Sequence, residues 1–145
     1  MFEKFTEKAI NAVAEAQRIA EEMQSEYILS EHLLLALAKE AKGVSLKIFK
    51  MYNISYENLY EEICKSIEIT EKIHDNAKAN FSHHVKDILK RTLDLANKSG
   101  NPSILYEHLF LAVITDKHSN NVKTLEKLGF DVYTCLLYTS DAADD

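Results

Sequence analysis

The chain has 145 residues, of which 46% are apolar and 28% charged, with a formal net charge of −6. This globular composition excludes disorder along the whole chain, and the acidic balance disfavours nucleic acid as a partner. No apolar run approaches the ~20 residues of a membrane-spanning helix and no signal peptide opens the chain, so we expect a cytoplasmic protein without a membrane partner.

Few turn signals interrupt the chain, which holds 3 glycines and 1 proline, and this favours helices over a many-stranded sheet. Thr6 or a neighbouring residue caps a first predicted helix, whose apolar stripe runs from Ala9 to Ala20. Ser30 caps a second over residues 31–39, which is apolar on nearly all sides and therefore belongs at the centre of a core.

Two further helices follow in the first half of the chain. Gly43 precedes a short third helix, and Ser55 caps a fourth in which Leu59 and Ile63 are spaced by four residues. Cys64 lies on this fourth helix, where we expect a small buried thiol. The only other cysteine is Cys135, so the sequence predicts neither a disulfide framework nor a zinc site.

The chain repeats itself. Glu-His-Leu-Leu-Leu-Ala at 31–36 returns as Glu-His-Leu-Phe-Leu-Ala at 107–112, and the same offset superposes residues 5–56 on 81–132 without a gap. We therefore predict an all-α fold of eight helices, in two tandem four-helix repeats related by a pseudo-twofold axis. The domain spans 1–134, with repeat one at 1–70, a polar joint at 71–80 and repeat two at 81–134.

Repeat two follows the same order of elements. Ser82 caps its first helix, a Gly-Asn-Pro turn occupies 100–102, and residues 107–114 form its central apolar helix. Gly129 is the predicted C-cap of the next helix, and Asp131 opens the eighth.

The last residues, 135–145, have no counterpart in repeat one and end in a small acidic segment. They resemble the translated read-through of a sequencing adapter. We expect them to be non-native, with the natural sequence differing after about residue 134. A genuine short tail is the alternative.

Motifs for common chemistries are missing from the sequence. It holds no phosphate-binding loop and no Gly-x-Ser-x-Gly, so this chain is not predicted to be an enzyme and needs no cofactor. His83 and His84 are adjacent and point about 100° apart on a helix. His83 and Asp87 have the spacing of metal ligands, yet solvated side chains are the better interpretation, and we predict no metal site.

Two Glu-His pairs stand at the starts of the predicted central helices, Glu31 with His32 and Glu107 with His108. The carboxylates complement the helix dipole, and the histidines would fill the edge of the core with their ring nitrogens bonded. A helix start also attracts anions through its free amides. Carboxylate and amides together suit a ligand that carries a guanidinium and a phosphate.

These residues resemble a known family. The segment Phe-Thr-Glu-Lys-Ala at 5–9, then Ser-Glu-His-Leu-Leu-Leu-Ala-Leu at 30–37, with both echoed at the matching positions of repeat two, is similar to the Clp N-terminal domain. That domain is the double-repeat, eight-helix module of Clp-type AAA+ unfoldases, which include ClpC, ClpA and ClpB. The resemblance covers residue 2 to about 132, and the short joint is most like ClpC.

The resemblance implies a receptor for substrate and adaptor proteins on an ATP-driven unfolding ring. In the ClpC branch each repeat carries a pocket for phosphoarginine, and the matching residues here are Glu31 with Thr6 and Glu107 with Ser82. Where the family often has Gly-Thr before Glu-His, this chain has Leu-Ser and Leu-Tyr. Tyr106 cannot cap a helix as a hydroxyl residue does, and its ring could narrow the second pocket.

The resemblance further implies that the full-length protein is an AAA+ ATPase, with ATP bound in domains that are absent here and a hexameric ring as partner. The alternatives are the module of a ClpB-type disaggregase and a stand-alone adaptor-docking protein. A small helical hydrolase that uses the glutamates and histidines of the two Glu-His pairs is the least favoured reading.

Overall fold

The computed structural model describes residues 2–67, 78–133 and 135–136. Within these residues the chain forms seven helices and two short strands: α1 (Glu7–Glu22), β1 (Tyr27–Ile28), α2 (Ser30–Lys39), α3 (Val44–Met51), α4 (Tyr56–Ser66), β2 (Asn80–Phe81), α5 (His83–Lys98), α6 (Tyr106–Ile114) and α7 (Asn121–Lys127). The predicted all-α class is confirmed. Most of the predicted joint, at 68–77, lies outside the described residues.

The predicted count of eight helices is wrong for the described residues. Gly129 ends α7 with a positive φ of 86°, as a C-cap does, and the described residues that follow include a helical turn at 132–133 and 135–136. The N–H of Cys135 donates to the carbonyl of Asp131 over 3.2 Å. The amino acids after this turn no longer match the helix that ends repeat one.

Most predicted helix caps are confirmed. The side chains of Thr6, Ser55 and Ser82 accept hydrogen bonds from amides in the first turns of α1, α4 and α5. Ser30 is not a cap, because it is the first residue inside α2 and Leu29 occupies the N-cap position. The side chain of Leu29 has no hydrogen-bond acceptor. The side-chain bond at this helix start is made by His32, whose Nδ1 accepts from the N–H of Leu29.

Short strands cross between the two repeats. β1 pairs with β2 in parallel, with Ile28 opposite Phe81, and an isolated parallel bridge joins Phe5 to Ile104. Phe5 and Ile28 of repeat one correspond to Phe81 and Ile104 of repeat two, so the two pairs are equivalent. In each repeat, the segment before the first helix therefore pairs with the other repeat. This reciprocal pairing is the arrangement that a pseudo-twofold axis between the repeats produces.

The two central helices lie in the middle of the molecule. Residues 33–37 of α2 are fully buried, and so are most side chains of α6. The hydroxyl of Tyr106 donates to the carbonyl of Leu37 in the other repeat. The side-chain amide of Asn121, Nδ2, likewise donates across the repeats to the carbonyl of Ser30, over 3.0 Å. The core is therefore continuous across both repeats.

The two cysteines are placed differently from expectation. Cys64 is exposed, because α4 buries the stripe that contains Leu59 and Ile63, and Cys64 lies about 100° further round the helix. Its stripe is instead that of Tyr60, which is also exposed. Cys135, the first residue of the predicted tail, is fully buried in the core.

Truncation of the central packing tests the fold. Leu35→Ala removes a fully buried side chain and is expected to lower the free energy of unfolding by about 2–5 kcal/mol. Leu111→Ala is the matched control, because Leu111 occupies the same repeat position but is only half-buried, and it should cost clearly less. Chemical denaturation of both variants gives the comparison, and an equal cost would contradict a core centred on α2.

Two truncations test where the domain ends. A chain that stops at Leu136 should be as stable as the full chain, whereas one that stops at Tyr133 loses the buried Cys135 and should be less stable by about 1 kcal/mol. Thermal and denaturant unfolding would measure both. A large loss on stopping at Leu136 would show that the remaining tail residues are part of the fold.

Candidate functional site

The exchange of strands decides which helix starts lie together. The N–H of Thr6 donates to the carbonyl of Ile104 over 3.0 Å, and the N–H of Ser82 donates to the carbonyl of Ile28 over 3.2 Å. Thr6 therefore lies beside the segment that leads into Glu107, and Ser82 lies beside the segment that leads into Glu31. The expected pairs within each repeat, Glu31 with Thr6 and Glu107 with Ser82, stay predictions, and these backbone bonds offer the crossed pairs as a second arrangement.

Both helix starts are ordered by their hydroxyl caps. Thr6 Oγ1 accepts from the N–H of Ala9 over 3.4 Å, and Ser82 Oγ accepts from the N–H of Val85 over 3.1 Å. The other amides of a first turn have no partner within their own helix, and the positive end of the helix dipole lies there. Each start is thus suited to an anion.

The two carboxylates differ in their surroundings. Glu31 is only 9% exposed and accepts a hydrogen bond from Ser30 Oγ over 3.4 Å, whereas Glu107 is exposed. Tyr106 does not narrow the site beside Glu107, because its ring is buried between the repeats and stacks on Phe110. Glu31 therefore has the more enclosed surroundings of the two glutamates.

The histidines of the two Glu-His pairs hold the starts of the central helices. His32 Nδ1 accepts from the N–H of Leu29 over 2.9 Å, and His108 Nδ1 accepts from the N–H of Leu105 over the same distance. Both rings therefore take the role of the side chain at the third position of a capping box. These bonds favour a structural role for the two histidines over a catalytic one.

The second ring nitrogens distinguish the repeats. His108 Nε2 lies 3.2 Å from Ser99 Oγ, but His32 Nε2 is buried without a hydrogen-bond partner among the described residues. The position that corresponds to Ser99 in repeat one is Met23, whose thioether accepts hydrogen bonds only weakly. Burial without a charged partner lowers the pKa of His32 to about 4.

This pKa makes stability depend on pH. Between pH 6.5 and about 4 the unfolded chain binds a proton at residue 32 and the folded chain does not, so stability is full above pH 6.5 and falls as the pH drops. The loss amounts to about 3 kcal/mol. His32→Gln, which retains a cap acceptor without titrating, should flatten the dependence in denaturation series.

His83→Gln is the control for that series, because the side chain of His83 is 94% exposed, and it should leave the dependence unchanged. The same slope in His32→Gln as in the unsubstituted chain would contradict a neutral buried imidazole.

The two histidines at the start of α5 have separate contacts. The predicted pair of His83 and Asp87 has its nearest atoms 4.0 Å apart in largely exposed side chains. His84 contacts Asp116 instead, with 2.5 Å between Nε2 and Oδ2, which links the start of α5 to the end of α6. In the described part of the chain no three His, Cys, Asp or Glu side chains converge as metal ligands.

A groove of about 320 Å³ runs along α5, and we call it the α5 groove. Its floor is apolar and comes from both repeats: Phe5, Leu89, Leu93 and Ile104. Its rim is charged or titratable: Glu3, Lys4, His83, Lys86, Asp87 and Lys90. Sequence reasoning missed this groove, because its two sides come from opposite repeats and lie far apart in the chain; the only local signal is the lysines spaced by four on α5.

The described residues thus form a helical scaffold with an apolar groove and two helix starts paired across the repeats. The Clp repeat (R) N-terminal domain model matches residues 4–128, so the chain belongs to that family and the resemblance seen in the sequence is confirmed. No helix in the parts of the chain that the structure describes is long and apolar enough to span a membrane.

Known proteins agree with this assignment. The chain is 30% identical to chaperone protein ClpC1, chloroplastic, of Arabidopsis thaliana, over 90% of its own length and 14% of that relative. It shares its fold with the N-terminal domain of ClpD of Arabidopsis thaliana, with a TM-score of 0.81, 18% identity, and coverage of 100% of this chain and 97% of the other. The chain thus spans about a seventh of the length of its curated relative.

A third similarity is to a structure with a bound ligand. The N-domain of ClpV, solved in complex with a VipB peptide, matches with a TM-score of 0.67 and 17% identity over 86% of this chain and 79% of the other. At this identity the match supports the fold alone.

Proposed function

We propose that this chain is the substrate- and adaptor-binding module of a Clp-family, ATP-dependent protein unfoldase. The crossed helix starts carry the proposal, because each places a capped, anion-attracting first turn beside the segment of a Glu-bearing central helix. Membership in the Clp N-terminal family supports it, as does the apolar α5 groove. Its partners are substrate and adaptor proteins.

The ligand that suits both helix starts is phosphoarginine on a marked protein. The phosphate would bind at the first turns capped by Thr6 and Ser82, and the guanidinium would bind the carboxylate of Glu107 or Glu31. Across the repeats, Ser82 works with Glu31 and Thr6 works with Glu107. The more buried Glu31 should form the stronger pair, because charge interactions weaken in water.

In the full-length protein the module would deliver these partners to an AAA+ ring, hexameric and driven by ATP in other domains. The curated relatives that this chain matches over about a seventh of their length are Clp ATP-binding subunits and Clp chaperones. Cytoplasmic location remains a prediction.

Calorimetry with phosphoarginine tests the proposed ligand. A buried charge-assisted hydrogen bond is worth about 1.5–3 kcal/mol, so Glu31→Ala should weaken binding roughly ten- to a hundredfold. Glu107→Ala should weaken it less than about fivefold, because an exposed ion pair contributes about 0.2–1 kcal/mol. Free arginine should bind much more weakly, since it leaves the first turn without an anion.

Glu57→Ala is the matched control, since Glu57 also lies in the first turn of a helix but away from the crossed strands, and its binding should equal that of the unsubstituted chain. No detectable heat with phosphoarginine at millimolar concentration would contradict both pockets. The module would then meet its partners through protein surfaces alone.

A further inference from the structure

The α5 groove carries a charge pattern that the fold does not require. Lys4, Lys86 and Lys90 stand on its rim, and within the described residues none of them has a carboxylate at ion-pair distance. Asp87 is the only acid on the α5 side of the rim, and its nearest cationic group is the ring of His83. With Glu3 on the opposite side, the rim carries three lysines and two carboxylates, a net charge of +1 on a chain whose net charge is −6.

Ion pairs along the helix do not occupy these lysines. Lys86 and Lys90 are four residues apart on one face of α5, where like charges repel each other. Asp87 and Asp94 are spaced three and four residues from Lys90, yet neither forms an ion pair with it, so both ammonium groups are available to a ligand.

Repeat symmetry does not account for them either. The positions of repeat one that correspond to Lys86 and Lys90 hold Ile10 and Ala14, and Asn80 corresponds to Lys4. The same backbone thus forms without any of the three charges. The three lysines are therefore specific to this groove, and the fold that the two repeats share does not need them.

We infer that the α5 groove binds peptide segments in which an apolar centre is flanked by acidic residues. The side chains of Leu89 and Leu93 offer the apolar centre a surface, since Leu93 is 36% exposed although it lies on the groove floor. The lysines attract carboxylates on either side and disfavour basic flanks. This inference rests on the proposed function, and it names the chemical class of client or adaptor segment that the module selects.

Three short peptides with the same leucine-rich centre test this inference, with aspartate, asparagine or lysine flanks. Fluorescence anisotropy with the whole chain should give the tightest binding for the aspartate peptide and the weakest for the lysine peptide. Added salt should weaken the aspartate peptide most, because exposed charges are screened.

The decisive variant is Lys86→Gln combined with Lys90→Gln. It should weaken the aspartate peptide about two- to thirtyfold, the range expected for two exposed ion pairs, and leave the asparagine peptide nearly unchanged. Lys47→Gln combined with Lys123→Gln is the control, because these residues occupy equivalent positions on α3 and α7 and remove the same charge away from the groove.

The outcomes separate this inference from the proposed function. Equal affinity for the three peptides, or equal loss in the two double variants, would overturn the charge selection while leaving a peptide-binding module in place. Failure of all three peptides to bind would instead count against peptide binding by this module. Leu93→Gln, in the exposed part of the floor, should weaken all three peptides alike, and an unaffected affinity would place the peptide outside the groove.

Discussion

Parallel pairing between the repeats is the constraint on which the rest of the structure depends. Phe5 bridges to Ile104, and Ile28 pairs with Phe81, so the start of each repeat is held by the other. Each first helix start is capped by a hydroxyl of its own repeat and is also held by a backbone bond to the other repeat. The exchange brings each hydroxyl-capped helix start beside the segment that leads into the other repeat's Glu-His pair.

The repeats preserve helix packing while changing its chemistry. In repeat one the buried Glu15 of α1 binds Lys39 of α2 over 2.7 Å, and this hydrogen bond raises the pKa of Lys39. The equivalent positions in repeat two hold Arg91 and Thr115, and Arg91 Nη2 donates to Thr115 Oγ1 over 2.6 Å. One link is an ion pair and the other a charge-assisted hydrogen bond, yet both join the first helix of a repeat to its central helix.

The same divergence affects the two candidate sites. His32 lacks the hydroxyl partner that Ser99 gives to His108, and Glu31 is buried where Glu107 is exposed. Glu31 and His32 carry the larger energetic consequence, because desolvation strengthens charge interactions and penalises unpaired polar groups. A module of two repeats can therefore hold two sites of unequal strength and selectivity on one scaffold.

The sequence by itself determined the helical class, the repeat, and the caps at Thr6 and Ser82, since these depend on local periodicity and on hydrogen bonds within a few residues. It also identified both Glu-His pairs and the family. Only the tertiary structure decided which segment of the opposite repeat lies beside each helix start, because strands far apart in the chain had to pair first. Burial of Tyr106 and exposure of Cys64 were decided in the same way, since the partner elements that cover a helix face are not encoded in that helix's own periodicity.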